Sequence, residues 1–154
     1  MSEPPFGLGQ FIWCRFPYME KPLRPGPKEH IGYIADIREL GEDAHLAVMS
    51  IYTTTVPWEP RMRLPLGVIP VEPSAAAAMN QKGFVIDARR IAFMPVSLAF
   101  FPRLGKPNKG IVHTASPRFH RLVQNTLLQL ARRPDLIVAL GPDRPGQVRR
   151  KRDA

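Results

Sequence analysis

Proline occupies 18 of the 154 positions and recurs along the whole chain. Each proline fixes φ and removes a backbone donor, so it ends a helix or confines a strand to an edge. A chain punctuated this way folds from short strands joined by turns rather than from long helices. Hydrophobic residues make up 44% of it, enough for a real core. Its length suits one domain plus a tail.

Between the prolines lie runs that read as strands. Gly9 to Phe16 is the first, stopped by Pro17. A long loop follows, with Pro22, Pro25, Gly26 and Pro27 as stiffeners and Lys21, Arg24 and Lys28 as charges. His30 to Ile37 is the second strand, and Gly41 to Ala44 turns the chain into the third. That third run, His45 to Tyr52, is a largely apolar segment read as a half-buried strand, and it closes on Thr53-Thr54-Thr55. Val56 to Arg63 is a second loop, carrying Trp58, Arg61 and Arg63. Leu66–Val71, Phe84–Ala88 and Lys109–His113 are further strands, and Arg89 to Pro95 and then Leu98 to Phe101 continue in extended or turn form. Ser74 is expected to cap a short helix through Ala75–Ala78. Ser116-Pro117 opens a second helix, with Phe119, Leu122, Val123, Leu127 and Leu130 on one face and Arg132-Arg133 before Pro134. Leu136–Leu140 packs either as an extra strand or as a helical turn. The expected fold is mainly β: an SH3-like small barrel of six or seven short strands, with a short helix and a C-terminal amphipathic helix. Residues 1–140 form the domain, and 141–154 a basic disordered tail.

Net charge is +9, with a pI near 10.4. The last fourteen residues hold five cations against two aspartates, so +6 remains on residues 1–140. A basic domain favours polyanions, nucleic acid first, although such an excess also confers solubility alone. The Arg149–Arg152 cluster adds non-specific RNA affinity as a solvated tail. No apolar run approaches the roughly 18–20 residues that span a bilayer. The start lacks a basic and then apolar leader, so no secretory signal and no membrane partner are expected. A single cysteine, Cys14, fits a reducing cytoplasm and, within a strand beside Trp13, reads as a buried structural thiol.

No phosphate-binding loop, dinucleotide fingerprint or nucleophile elbow is present, and His30, His45, His113 and His120 lack zinc-site spacing. No cofactor is expected. What remains is a basic loop, a histidine just after it, and hydroxyls at a strand end. If the first two strands lie beside the third, these meet at one end of the barrel. Such a set can cleave RNA without a metal. The RNA supplies its 2′-hydroxyl as nucleophile, histidine moves protons, lysine or arginine offsets phosphate charge, and threonine holds the phosphate in line. The plainer readings are that threonine is a good strand residue and that scattered loop cations are a solvated face. Trp58 either stacks an unpaired base or belongs to the core. Asp87 is expected to hold a turn.

Four motifs in order also resemble a known family. Gly9-Gln10-x-Ile12-Trp13-x-x-Phe16-Pro17 is similar to the first strand of the MazF/PemK-type toxins. Pro25-Gly26-Pro27-Lys28-x-His30-Ile31 resembles their step into the second strand, Ile51-Tyr52-Thr53-Thr54 their strand ending in Thr-Thr, and Gly83 to Asp87 a later segment. The terminal helix stands at the same place, so the likeness spans about residues 6–133. It implies a homodimer of SH3-like barrels that cleaves single-stranded RNA as a metal-independent endoribonuclease, the toxin of a toxin-antitoxin pair restrained by an antitoxin peptide or protein. The family pairs an arginine with the first threonine. Carried over, the threonine is Thr53, while the arginine falls on His30. That departure makes His30 either a substitute acid or base, or the mark of a weakened enzyme. The expected catalytic residues are therefore His30, Thr53 and Lys28, with Arg15, Lys21, Arg24, Thr54, Trp58, Arg61 and Arg63 holding RNA. The alternative is an inactive SH3-like barrel that binds nucleic acid or an extended peptide.

Overall fold

The computed structural model describes residues 4–40, 45–54, 63–82 and 84–143. Its elements fall where the prolines leave room. They are β1 (Gln10–Cys14), β2 (His30–Leu40), β3 (His45–Thr54), β4 (Val68–Pro70), α1 (Pro73–Ala78), β5 (Val85–Pro95), β6 (Ile111–Thr114), α2 (Pro117–Leu130), a 3₁₀ turn (Pro134–Leu136) and β7 (Val138–Leu140). Pro70 and Pro95 end strands, and Pro73, Pro117 and Pro134 each stand in the first turn of a helical segment, where no donor is required.

The sheet runs β4-β5-β3-β2-β1-β6, with antiparallel pairing throughout, and β7 adds to β5 in parallel. The end strands β4 and β6 are not paired with each other, so the sheet forms a small, open, barrel-like wrap. The expected mainly β small-barrel architecture with two helices therefore holds. Both faces of the sheet are buried. Phe11, Tyr33, Ile51, Ile86 and Ala88 point to one core, which α2 covers with Phe119, Val123 and Leu130. Ile12, Cys14, Ile34, Val48, Ala92 and Met94 point to a second core with Phe6, Phe16, Phe100 and Phe101. Adjacent residues serving opposite cores follow from the two-residue period of a strand.

Some elements differ from the sequence expectation. β5 is one strand of 11 residues, so Arg89 to Pro95 take the extended rather than the turn form, because β3, β4 and β7 all supply partners for the strand. Ser74 lies inside α1 and caps nothing; Glu72 occupies the cap position without a side-chain bond, and Pro73 pre-sets the first turn. β6 starts at Ile111, since Lys109 and Gly110 adopt left-handed φ values of 56° and 83° in the turn before it. Leu122, part of the predicted apolar stripe, is exposed, and Thr126 is buried instead, donating to the Leu122 carbonyl. Ser116 caps α2 as expected, its hydroxyl accepting from Phe119 N–H at 3.2 Å. Residues 141–143 pack on the sheet. Gly141 donates to the Pro22 carbonyl at 2.6 Å with φ of 97°, so the folded part runs past Leu140. The remainder of the expected tail, 144–154, lies outside the described residues. No helix among the described residues is long and apolar enough to cross a membrane.

Two contacts in this core generate predictions. Gly32 lies in β2 between β1 and β3, and a Cβ there would collide with Ser50 Oγ and stand 2.9 Å from Cys14 Sγ. Gly32→Ala is expected to lower stability by about 1–3 kcal/mol, the usual cost of overpacking, measured by urea unfolding. The second contact joins α2 to β2. Burial pushes the Tyr33 hydroxyl above its ordinary pKa and pulls His120 below its own, so the phenol stays protonated and the imidazole neutral. Tyr33 Oη and His120 Nδ1 are hydrogen-bonded at 2.6 Å, and the buried Nε2 has no protein partner among the described residues. A histidine whose folded pKa is depressed binds its proton more readily in the unfolded chain. Stability is therefore intact above about pH 6.5 and declines as pH falls from there toward the folded pKa. Urea midpoints measured from about pH 7 downward should fall in the wild type and fall less steeply in His120→Gln.

Candidate functional site

The β1–β2 loop folds back on its own strand. Gly26 N–H donates to the Arg15 carbonyl at 3.0 Å, and Arg15 Nη1 donates to the Pro27 carbonyl at 3.1 Å. That clamp sets where β2 begins, and with it Glu29 and His30. β3 ends beside them, because Tyr52 pairs with Gly32. The result is a cavity of about 290 Å³ lined by Trp13, Glu29, His30, Ile31, Tyr52, Thr53, Thr54, Gln81 and Phe84. A second cleft of about 280 Å³ adjoins it, lined by residues 16–20 of the loop together with His30, Tyr52, Arg90 and Leu140. His30 and Tyr52 form the wall common to both, with their ring centroids 6.4 Å apart.

The structure thus brings His30, Thr53 and Thr54 to one cavity. Their situations differ. Thr53 is only 5% exposed, and its hydroxyl donates to the Ile31 carbonyl across the strand pair. That hydroxyl is already committed, so Thr53 positions the start of β2 beside His30. Thr54 is half-buried at the strand end, and His30 is half-buried against Tyr52. Lys28, Lys21 and Arg24 are exposed on the loop and line neither cavity. Arg63 is exposed and likewise outside both cavities, and Arg15 is occupied in bracing the loop. Trp58 and Arg61 lie outside the described residues.

Several side chains that the sequence did not single out for this site line it, and Arg103 braces two of them from outside the cavities. Arg90 of β5 places its guanidinium 4.9 Å from the Tyr52 ring centroid and lines the cleft that His30 shares. Trp13, Glu29 and Arg103 form a cluster at the other side. Arg103 Nε donates to Glu29 Oε2 at 2.8 Å, and its guanidinium stands 4.4 Å from the Trp13 ring centroid. Glu29 and Arg103 are 74 residues apart, and no local pattern could pair them. Tyr52 had a signal, since it precedes the threonine run in a segment read as a half-buried strand. Cys14, opposite His30 in the sheet, has its thiol pushed up to about 12 by burial, which keeps it protonated and non-nucleophilic. Asp87 accepts from Arg89 N–H at 3.1 Å and from its guanidinium at 2.8 and 2.9 Å, at a bend of β5.

Comparison with family models, with curated proteins and with solved structures finds no match for this chain.

The Thr53 geometry separates a structural from a catalytic hydroxyl. Thr53→Val leaves the Ile31 carbonyl without that donor and should lower stability by about 1–2 kcal/mol, whereas Thr53→Ser should retain most of it. Urea unfolding of both variants is the measurement. Equal stabilities for Val and Ser would mean that the bond contributes nothing.

Proposed function

We propose that this chain is a metal-independent endoribonuclease of the MazF/PemK type, acting on single-stranded RNA in the groove shared by His30 and Tyr52. The observation that carries the reading is the convergence of His30, Thr54 and Arg90 around Tyr52, from three different strands. The ordered family-like motifs support it from the sequence side. In this scheme neutral His30 accepts the proton of the 2′-hydroxyl, whose oxygen attacks the adjacent phosphorus. The 5′-oxygen of the next nucleotide departs, and the imidazolium returns a proton to it. The products are a cyclic 2′,3′-phosphate and a free 5′-hydroxyl. Arg90 offsets the charge gathering on the phosphoryl oxygens, the part first assigned to Lys28. Thr54 orients the phosphate, and Thr53 holds the Ile31 backbone that carries His30. The same reading entails a homodimer, an antitoxin peptide or protein as inhibitor, and action in the cytoplasm.

One observation favours a second reading, an RNA-binding barrel without catalysis. Thr53, the family's catalytic threonine by position, has its hydroxyl bound to Ile31. Purified protein incubated with a broad panel of single-stranded RNAs in EDTA separates the two. The endoribonuclease reading expects cleavage, lowered roughly 10²- to 10⁴-fold by His30→Ala and about 10²-fold by Arg90→Gln. Lys28→Ala should stay within about twofold at physiological salt, because exposed charges at that range are screened. Binding that weakens with salt, with every RNA left intact, would instead establish the binder.

A further inference from the structure

We infer that Trp13 and Glu29, braced by Arg103 from outside the cavity, form a pocket that receives one unpaired nucleobase bearing an exocyclic amine, such as cytosine or adenine, beside the His30 cleavage position. This rests on the nucleic-acid reading of the same site. The indole of Trp13 lines the 290 Å³ cavity, a volume suited to a single small ligand rather than to a stretch of polymer. Arg103 packs over Trp13 at 4.4 Å and is itself fixed by its 2.8 Å bond to Glu29. An ion pair this exposed, 42% and 29% at its two side chains, adds little to stability. Its consequence is positional: it anchors the loop between β5 and β6 against β1 and immobilises both the indole and the carboxylate. Arg103 covers one face of the indole, so a base entering the cavity meets the part of Trp13 that lines it, as an apolar aromatic wall.

The carboxylate gives the pocket its selectivity. Arg103 engages Oε2 of Glu29, and Oε1 has no partner among the described residues. An ionised carboxylate only accepts hydrogen bonds. It pairs with the exocyclic N4 amine of cytosine or N6 amine of adenine, and it opposes the carbonyl oxygen that uracil presents at the matching place. Gln81, in the same cavity, has an amide that both donates and accepts and can serve the rest of the base edge.

The chain has two tryptophans, so Trp58→Phe, used once its RNA affinity is shown to match the wild type, leaves Trp13 as the sole reporter. That protein is titrated with 2′-O-methyl oligonucleotides of C, A or U, which lack the attacking hydroxyl, while unmodified RNA is assayed for cleavage in EDTA. Trp13 fluorescence should be quenched, with C or A bound about tenfold more tightly than U. Glu29→Gln, checked to melt like the parent, should bring the three within about twofold, because an amide also donates to a carbonyl. Cleavage without quenching, or quenching equal for all three bases, overturns the pocket and leaves the endoribonuclease standing. Selective quenching without cleavage sustains the pocket and removes the enzyme. Absence of both overturns both.

Discussion

The bend in β5 is the constraint on which the rest depends. β3 pairs with β5 from Ala47↔Pro95 to Ile51↔Ile91, and then the register jumps so that Tyr52 faces Asp87. Ala88, Arg89 and Arg90 are left over on one strand. Extra residues on one side of an antiparallel pair bend the strand and increase its twist. The bend is tied down twice. Asp87 binds the Arg89 backbone and guanidinium, and Ala88 N–H donates to the Gly67 carbonyl at 2.8 Å. Because of it, the first half of β5 faces the core under α2 and the second half faces the other core. The sheet can then wrap into a barrel-like shape and keep both faces buried. The same bend lays Arg90 over Tyr52, and thereby sets a cation beside His30.

The site occupies the opposite ends of strands that this wrap brings together. β2 begins and β3 ends at the same level, and β1 ends beside them, with Cys14 opposite His30. Strand ends leave backbone groups that the ladder does not use. Thr53 meets one of these, the Ile31 carbonyl, with its own hydroxyl. An orphan carbonyl in that buried position would cost about as much as a lost hydrogen bond. The threonine run therefore serves two purposes: one residue completes the sheet and the next reaches the cavity.

Much of the frame was legible from local pattern. The amphipathic α2, with Ser116-Pro117 at its start, follows from spacing and capping chemistry alone, and so does the hairpin between β2 and β3. The proximity of His30 to Thr53 and Thr54 followed from strand order. What stayed hidden depended on pairing over long separations. Arg90 reads in sequence as one of two consecutive arginines after a strand; only the register jump in β5 tells which of them meets Tyr52 and which meets Asp87. Arg103 lies in a loop with no periodicity, and its bond to Glu29 exists because β6 and its preceding turn pack on β1. Lys28 was the nearer cation by sequence, yet the clamp of Arg15 on Pro27 goes with an exposed Lys28 outside both cavities.

The charges of the chain accordingly divide by range. Lys21, Arg24, Lys28 and Arg63 are exposed, and in salt their fields decay over roughly 8 Å. Such charges raise the encounter rate with a polyanion and set its salt dependence, but they do not distinguish a ground state from a transition state. Arg90 and Arg103 are different in kind. Each is stacked on an aromatic ring that lines the groove, Tyr52 for one and Trp13 for the other. Stacking fixes direction as well as charge, so the field at a bound phosphate or base is in place before the ligand arrives. If the proposed RNA reading holds, the +9 of the whole chain would bear on how fast an RNA is found, and the two arginines with the rings beneath them on what happens to it.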